Sequence, residues 1–70
     1  MRLYQYWHEL SRRWSTGSRY GQDAYNLLAE VRPGLAEQLR GTDIDPFYAE
    51  GFQDRRMVAF AKWLDENWEK

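Results

Sequence analysis

The chain has no cysteine, one histidine and two prolines in 70 residues, and its ten cationic side chains nearly cancel its eleven acidic ones. Each scarcity removes a class of explanation. Without cysteine there is neither a disulfide framework nor a thiolate metal cage, the common reinforcements of so small a domain. With His8 as its only imidazole and no thiolate, zinc is excluded as a structural staple. A net charge of −1 gives no bulk attraction to nucleic acid or to anionic membrane, so binding of either kind requires a local patch. No apolar run reaches the ~18 residues of a membrane span, and no charged start leads into an apolar signal region, so the expected location is the cytoplasm.

What the chain has instead is rings. Four Trp, five Tyr and three Phe make up 17% of the residues, and each can bury roughly 150 to 250 Å². A chain of this size supports one domain, spanning 1–70, with a single small core. The aromatics are therefore the expected substitute for crosslinks. Among the cations, eight are Arg and two are Lys, which favours bidentate pairing and stacking on rings.

Apolar residues recur at intervals of three and four, the period of a helix. Leu3, Tyr6, Trp7, Leu10 and Trp14 define a first helix over 2–14. Gly17 and Ser18 supply a turn and the cap of the next. Tyr20, Ala24, Leu27, Leu28 and Val31 define a second helix over 19–31, with Gly21 in its first turn, where another backbone or a ring can approach closely. Pro33 opens a short third helix carrying Leu35, Ala36 and Leu39, and Gly41 stops it. Asp54 caps a last helix over 54–68, with Met57, Phe60, Ala61, Leu64 and Trp68 on one side and Val58 and Trp63 at the edges. Asp65, Glu66 and Glu69 oppose its dipole, which predicts fraying at the end. The fold class is all-α, a single domain of three or four helices, without internal repeat or low-complexity tract.

The segment from Gly41 to Tyr48 interrupts the helical pattern on both sides. Ile44, Phe47, Tyr48 and the following Phe52 carry too much apolar area for a solvated linker. The expectation is a structured joint that tucks its rings beneath the helices. Asp45 followed by Pro46 reads as a cap and first position of one helical turn, and Gly51 permits the next change of direction.

Chemical sites are scarce. His8 has only Glu9 as an adjacent acid, which points to another side of the helix. Asp43, Asp45 and Asp54 take the first, third and twelfth positions of a calcium loop, but Phe47 and Tyr48 then stand where an oxygen ligand and a glycine are needed. Glu30 and Glu37, or Asp65 and Glu66, lie on solvated faces with no apolar pocket to raise a carboxyl pKa. No triad and no phosphate-binding glycine loop is present. No catalytic residue, cofactor site or metal site is assigned, and the chain reads as non-enzymatic.

Two binding readings remain. Arg12, Arg13 and Arg19 with interleaved Trp14 and Tyr20, together with Arg55 and Arg56, form the nucleic-acid signal, since guanidinium groups hold phosphates while rings stack on bases. Residues 19–40 also imitate a helix-turn-helix, but three Arg there face Asp23, Glu30 and Glu37, a poor phosphate binder. The aromatic surplus supports docking of another protein, because exposed Trp, Tyr and Arg dominate interfaces. Its candidates are Trp14, Tyr25, Tyr48 and Trp68, with Tyr4 a further ring for the surface. Self-association through the aromatic face of the first or last helix is a third possibility.

Arg19, Gly21-Gln22, Asn26-Leu27, Pro33, Leu35 and the run Arg40-Gly41-Thr42 with Asp45-Pro46-Phe47-Tyr48, followed by Phe60 and Trp63, resemble a group of small proteins found in phage and prophage genomes. The likeness covers 19–63 and centres on the Arg-Gly-Thr-x-x-Asp-Pro-Phe-Tyr segment. It implies a phage-type setting and carries over no activity and no functional residue.

Overall fold

The computed structural model describes residues 1–13, 20–51 and 53–69. Among these residues four helices follow one another: α1 (Leu3–Arg13), α2 (Tyr20–Val31), α3 (Pro33–Leu39) and α4 (Arg55–Asn67), with one 3₁₀ turn (Pro46–Tyr48) between the last two. The chain is all-helical, and no strand occurs among the described residues. The turn expected at Gly17 and Ser18, with Trp14, Arg19 and Phe52, lies outside them.

The apolar spacing reappears as burial. Tyr6 and Leu10 of α1, Tyr20, Ala24, Leu27 and Leu28 of α2, Leu35, Ala36 and Leu39 of α3, and Met57, Phe60 and Leu64 of α4 meet in one core. Leu3, Trp7, Val31 and Trp63 pack half-buried around it. Tyr6 reaches deepest among the polar groups. Its hydroxyl donates to the Ala24 carbonyl at 2.6 Å, tying α1 to α2. Burial, with the nearby Tyr20, pushes the Tyr6 phenol far above its usual range, and burial raises Tyr20 as well.

Helices α1 and α4 run antiparallel. The Trp7 and Phe60 rings meet edge-on at 6.1 Å, while Tyr6 lies 5.5 Å from Trp68 at the far end of α4. The end of α4 departs from expectation. Trp68 is only 3% exposed, its indole N–H donates to the Met1 carbonyl at 3.1 Å, and Arg32 lies 4.9 Å over its ring. A ring held on three sides offsets the unfavourable charge of Asp65 and Glu66, so the last turn is anchored where fraying was expected. The same burial removes Trp68 from the exposed rings.

The joint is structured by the expected Gly41 stop and Asp45-Pro46 cap, with Ile44 packed half-buried against the core, but its rings take another place. Arg40 and Thr42 donate backbone N–H groups to Ala36 and Leu39, ending α3, and Gly41 takes the left-handed conformation at φ 76°. Asp45 then uses both carboxylate oxygens, accepting from Gly41 N–H at 2.9 Å and from Phe47 N–H at 3.0 Å. This clamp fixes the 3₁₀ turn relative to the end of α3.

The turn docks through its small residues. Pro46 and Ala49 are buried, pressed on α2 at Gly21. A Cβ on Gly21 would collide with the Pro46 carbonyl oxygen and would stand 2.7 Å from that of Ala49 and 2.9 Å from the Ala49 Cβ. Only a residue without a side chain lets the two backbones approach this closely. The rings consequently face outward. Phe47 is half-buried against Tyr25, and Tyr48 is 64% exposed. The expectation that both insert under the helices is corrected: backbone contact at Gly21 takes the space that the rings would need.

Candidate interaction surface

Outward rings of the joint make a surface feature of three mutually contacting aromatics. Tyr25 projects from α2 and meets Phe47 edge-on at 6.0 Å, and Phe47 meets Tyr48 edge-on at 5.1 Å. Edge-to-face pairs at these separations are the favoured arrangement of aromatic rings. The three rings, with Arg40, Gly41 and Asp45, line an open cleft of about 460 Å³.

Each member is held by the fold. Tyr25 sits on a helix, Phe47 and Tyr48 sit on a turn clamped by Asp45 and seated on Gly21, and Arg40 follows the last residue of α3. The charges of the cleft differ in availability. Both Asp45 oxygens are occupied by backbone N–H groups, whereas Arg40 is exposed and has no ion pair among the described residues. The surface therefore offers one unpaired guanidinium beside three braced rings. Chemically it can stack, accept an apolar side chain against Tyr48, and hold a carboxylate on Arg40.

The other sequence candidates fall elsewhere. Arg12 and Arg13 are bound to Glu9 at 3.0 and 3.1 Å, and Arg13 also binds Glu30 at 2.5 Å. These pairs raise the Arg13 pKa, chiefly through Glu30, and hold the Glu30 carboxyl below its usual range, chiefly through Arg13. Three acceptor oxygens thus take up much of what would attract phosphate. Arg55 and Arg56 are exposed at the start of α4. Trp14 and Arg19 lie outside the described residues.

His8 is exposed and lines an open cleft with Met1, Tyr4, Gln5 and Glu9, but the Glu9 carboxylate is already committed to Arg12 and Arg13. Asp45 and Asp54 are helix caps, as the sequence suggested. Asp54 accepts from the N–H groups of Arg56 and Glu50, which hold its pKa down. Among the described residues no group of three or more His, Cys, Asp or Glu is arranged to hold a metal. Asp23, in the first turn of α2, keeps one buried oxygen without a hydrogen bond, in the favourable field of a helix start.

Two members of the cleft were not singled out by sequence reasoning. The sequence places Phe47 in the interior, and names Arg40 in a charge balance and in the run shared with the phage proteins without giving it a role. The signal for Arg40 lay in its place directly before the Gly41 turn and the Asp45 clamp, where a long side chain must leave the helix end. Tyr4, 68% exposed on α1, lines the cleft beside His8 and is apart from the rings of the joint. The chain matches no family model, no curated protein and no solved structure.

Proposed function

We propose that this chain is a non-enzymatic helical module that acts by binding another protein through Tyr25, Phe47, Tyr48 and Arg40. The observation that carries the reading is Tyr48, an aromatic ring 64% exposed yet braced edge-on by Phe47 on a doubly clamped turn. Tyr and Arg on a rigid mount are the residue types that contribute most at interfaces, because little side-chain entropy is lost on contact. The partner segment that fits is apolar with a neighbouring carboxylate. The resemblance of the joint to small phage and prophage proteins supports a phage-type setting, with the host cytoplasm as the place of action.

The test is capture from the host cytoplasm by the wild-type chain, compared with Tyr48→Ala, Arg40→Ala and the control Tyr4→Ala. Loss of one captured protein with both joint variants, and its retention with the control, supports the proposal. Equal capture by all four proteins removes it.

A second reading, nucleic-acid binding, is favoured by Arg55 and Arg56, which have no ion pair among the described residues. Phosphate contacts must weaken steeply with salt. Binding of a single-stranded oligonucleotide that falls in this way, and that Arg55→Glu abolishes, supports it. Absence of binding at low salt excludes it.

A further inference from the structure

The charges of α4 run against its own dipole at both ends. Arg55 and Arg56 occupy its first turn and Asp65 its last, with no acid in the first turn and no base in the last. A helix by itself favours the opposite placement. The Asp54 cap answers part of the charge at the start, but nothing among the described residues pairs with Asp65 or Glu66.

The positions form a stripe. Arg55, Val58, Lys62 and Asp65 follow one another at intervals of three and four, on the side of α4 opposite Met57, Phe60 and Leu64. All four are exposed, Val58 by 59%. Beside them Val58 and Ala61 border an apolar groove of about 490 Å³ that Trp7, Ser11, Tyr20 and Met57 complete.

Such a stripe is complementary to itself when turned end for end. We infer that the outer face of α4 and its groove with α1 receive a second copy of this chain, the two α4 helices lying antiparallel about a twofold axis. In that arrangement Arg55 of each copy faces Asp65 of the other, the stem of Lys62 covers Val58, and the opposed dipoles align favourably. A parallel pairing would set Arg55 against Arg55 and Asp65 against Asp65. The occupant is therefore specified by charge as well as by shape.

A 13-residue helix is about 20 Å long, which places the contact at the small end of specific interfaces, below about 1,200 Å² in total. Association is accordingly weak and rises with concentration. The surface is separate from the aromatic joint and does not depend on the function proposed above.

Charge exchange tests the inference. Sedimentation equilibrium is run on the wild type, Arg55→Glu, Asp65→Arg and the double variant, at concentrations from about 10 µM to about 1 mM, which bracket weak interfaces. Exposed positions leave the fold intact, checked by far-ultraviolet dichroism. The wild type is expected to approach the mass of two chains, and each single variant to associate at least about tenfold more weakly. The double variant, and an equimolar mixture of the two single variants, recover wild-type association. A wild type that keeps the mass of one chain throughout overturns the inference, as does a double variant no stronger than either single one.

Discussion

Replacing Gly21 by Ala inserts one methyl group where the joint meets α2. The added carbon would stand 2.7 Å from the Ala49 carbonyl oxygen and 2.9 Å from its Cβ, and closer still to the Pro46 carbonyl. These neighbours are backbone or a methyl group fixed to it, so no rotamer change relieves the clash. The turn must lift from the helix. Overpacking of this kind costs about 1 to 3 kcal/mol, and more when backbone has to move. Against it stands the better helix propensity of Ala, at most ~1 kcal/mol and less in a first turn. The net expectation is a loss of about 2 kcal/mol, a large share of the ~4 to 10 kcal/mol typical for this length. It corresponds to a fall in Tm of about 8 to 16 °C. Thermal and urea unfolding followed by circular dichroism measure it. Gly34→Ala is the internal control, since a Cβ there meets nothing within 4 Å; it should be neutral or stabilising by up to about 1 kcal/mol. A Gly21→Ala protein as stable as the Gly34→Ala protein would refute the docking of the joint.

The remaining predictions concern the rings and caps. Tyr48→Ala should change stability by less than about 0.5 kcal/mol in urea unfolding, because its exposed ring contributes little to the core. Tyr6→Phe should cost about 1 kcal/mol through loss of the hydrogen bond to Ala24. The raised pKa of Tyr6 means that its contribution is complete below the unfolded phenol pKa of ~10 and is lost as pH rises beyond it. Alkaline titrations of Tm should therefore be flatter in the Tyr6→Phe variant. Asp54 behaves in the opposite sense. Its lowered pKa gives stability above the unfolded value of ~3.9 that disappears as pH falls through the folded value, so Asp54→Asn should narrow the difference in Tm between neutral and acid solution.

Local signals in the chain were read correctly where the physics is local. Pro33 and Pro46 stand at first helical positions, Asp45 and Asp54 accept the N–H groups expected of caps, and Gly41 ends α3 with a positive φ. Each of these depends on a residue and its next three or four neighbours. The three-and-four spacing likewise placed Tyr6, Leu10, Leu27, Leu35, Phe60 and Leu64 inside.

Tertiary choices were not legible in the same way. Burial of apolar area is a demand that the sequence states without saying which atoms satisfy it. At the joint Pro46 and Ala49 satisfy it, because Gly21 admits their backbone and leaves no room for Phe47 and Tyr48. That Gly21 invites a close approach could be read; that its partner is the joint could not. Trp68 followed the apolar stripe of α4, yet Met1, Tyr6 and Arg32, all distant in sequence, decide that its ring is covered. The Arg13 to Glu30 pair likewise joins residues from two helices and withdraws Arg13 from the basic patch. The candidate surface is half visible in the sequence: Tyr25 and Tyr48 are binding candidates there, Phe47 is expected inside, and Arg40 is named in the shared run without a binding role.

The most direct test of the account is a nuclear Overhauser measurement between the Gly21 α-protons and the Ala49 methyl group in the folded chain. Seating of the joint on α2 predicts a strong cross-peak, with weaker ones linking the Tyr25 and Phe47 rings. No cross-peak between Gly21 and Ala49, in a protein whose four helices are otherwise formed, would contradict it.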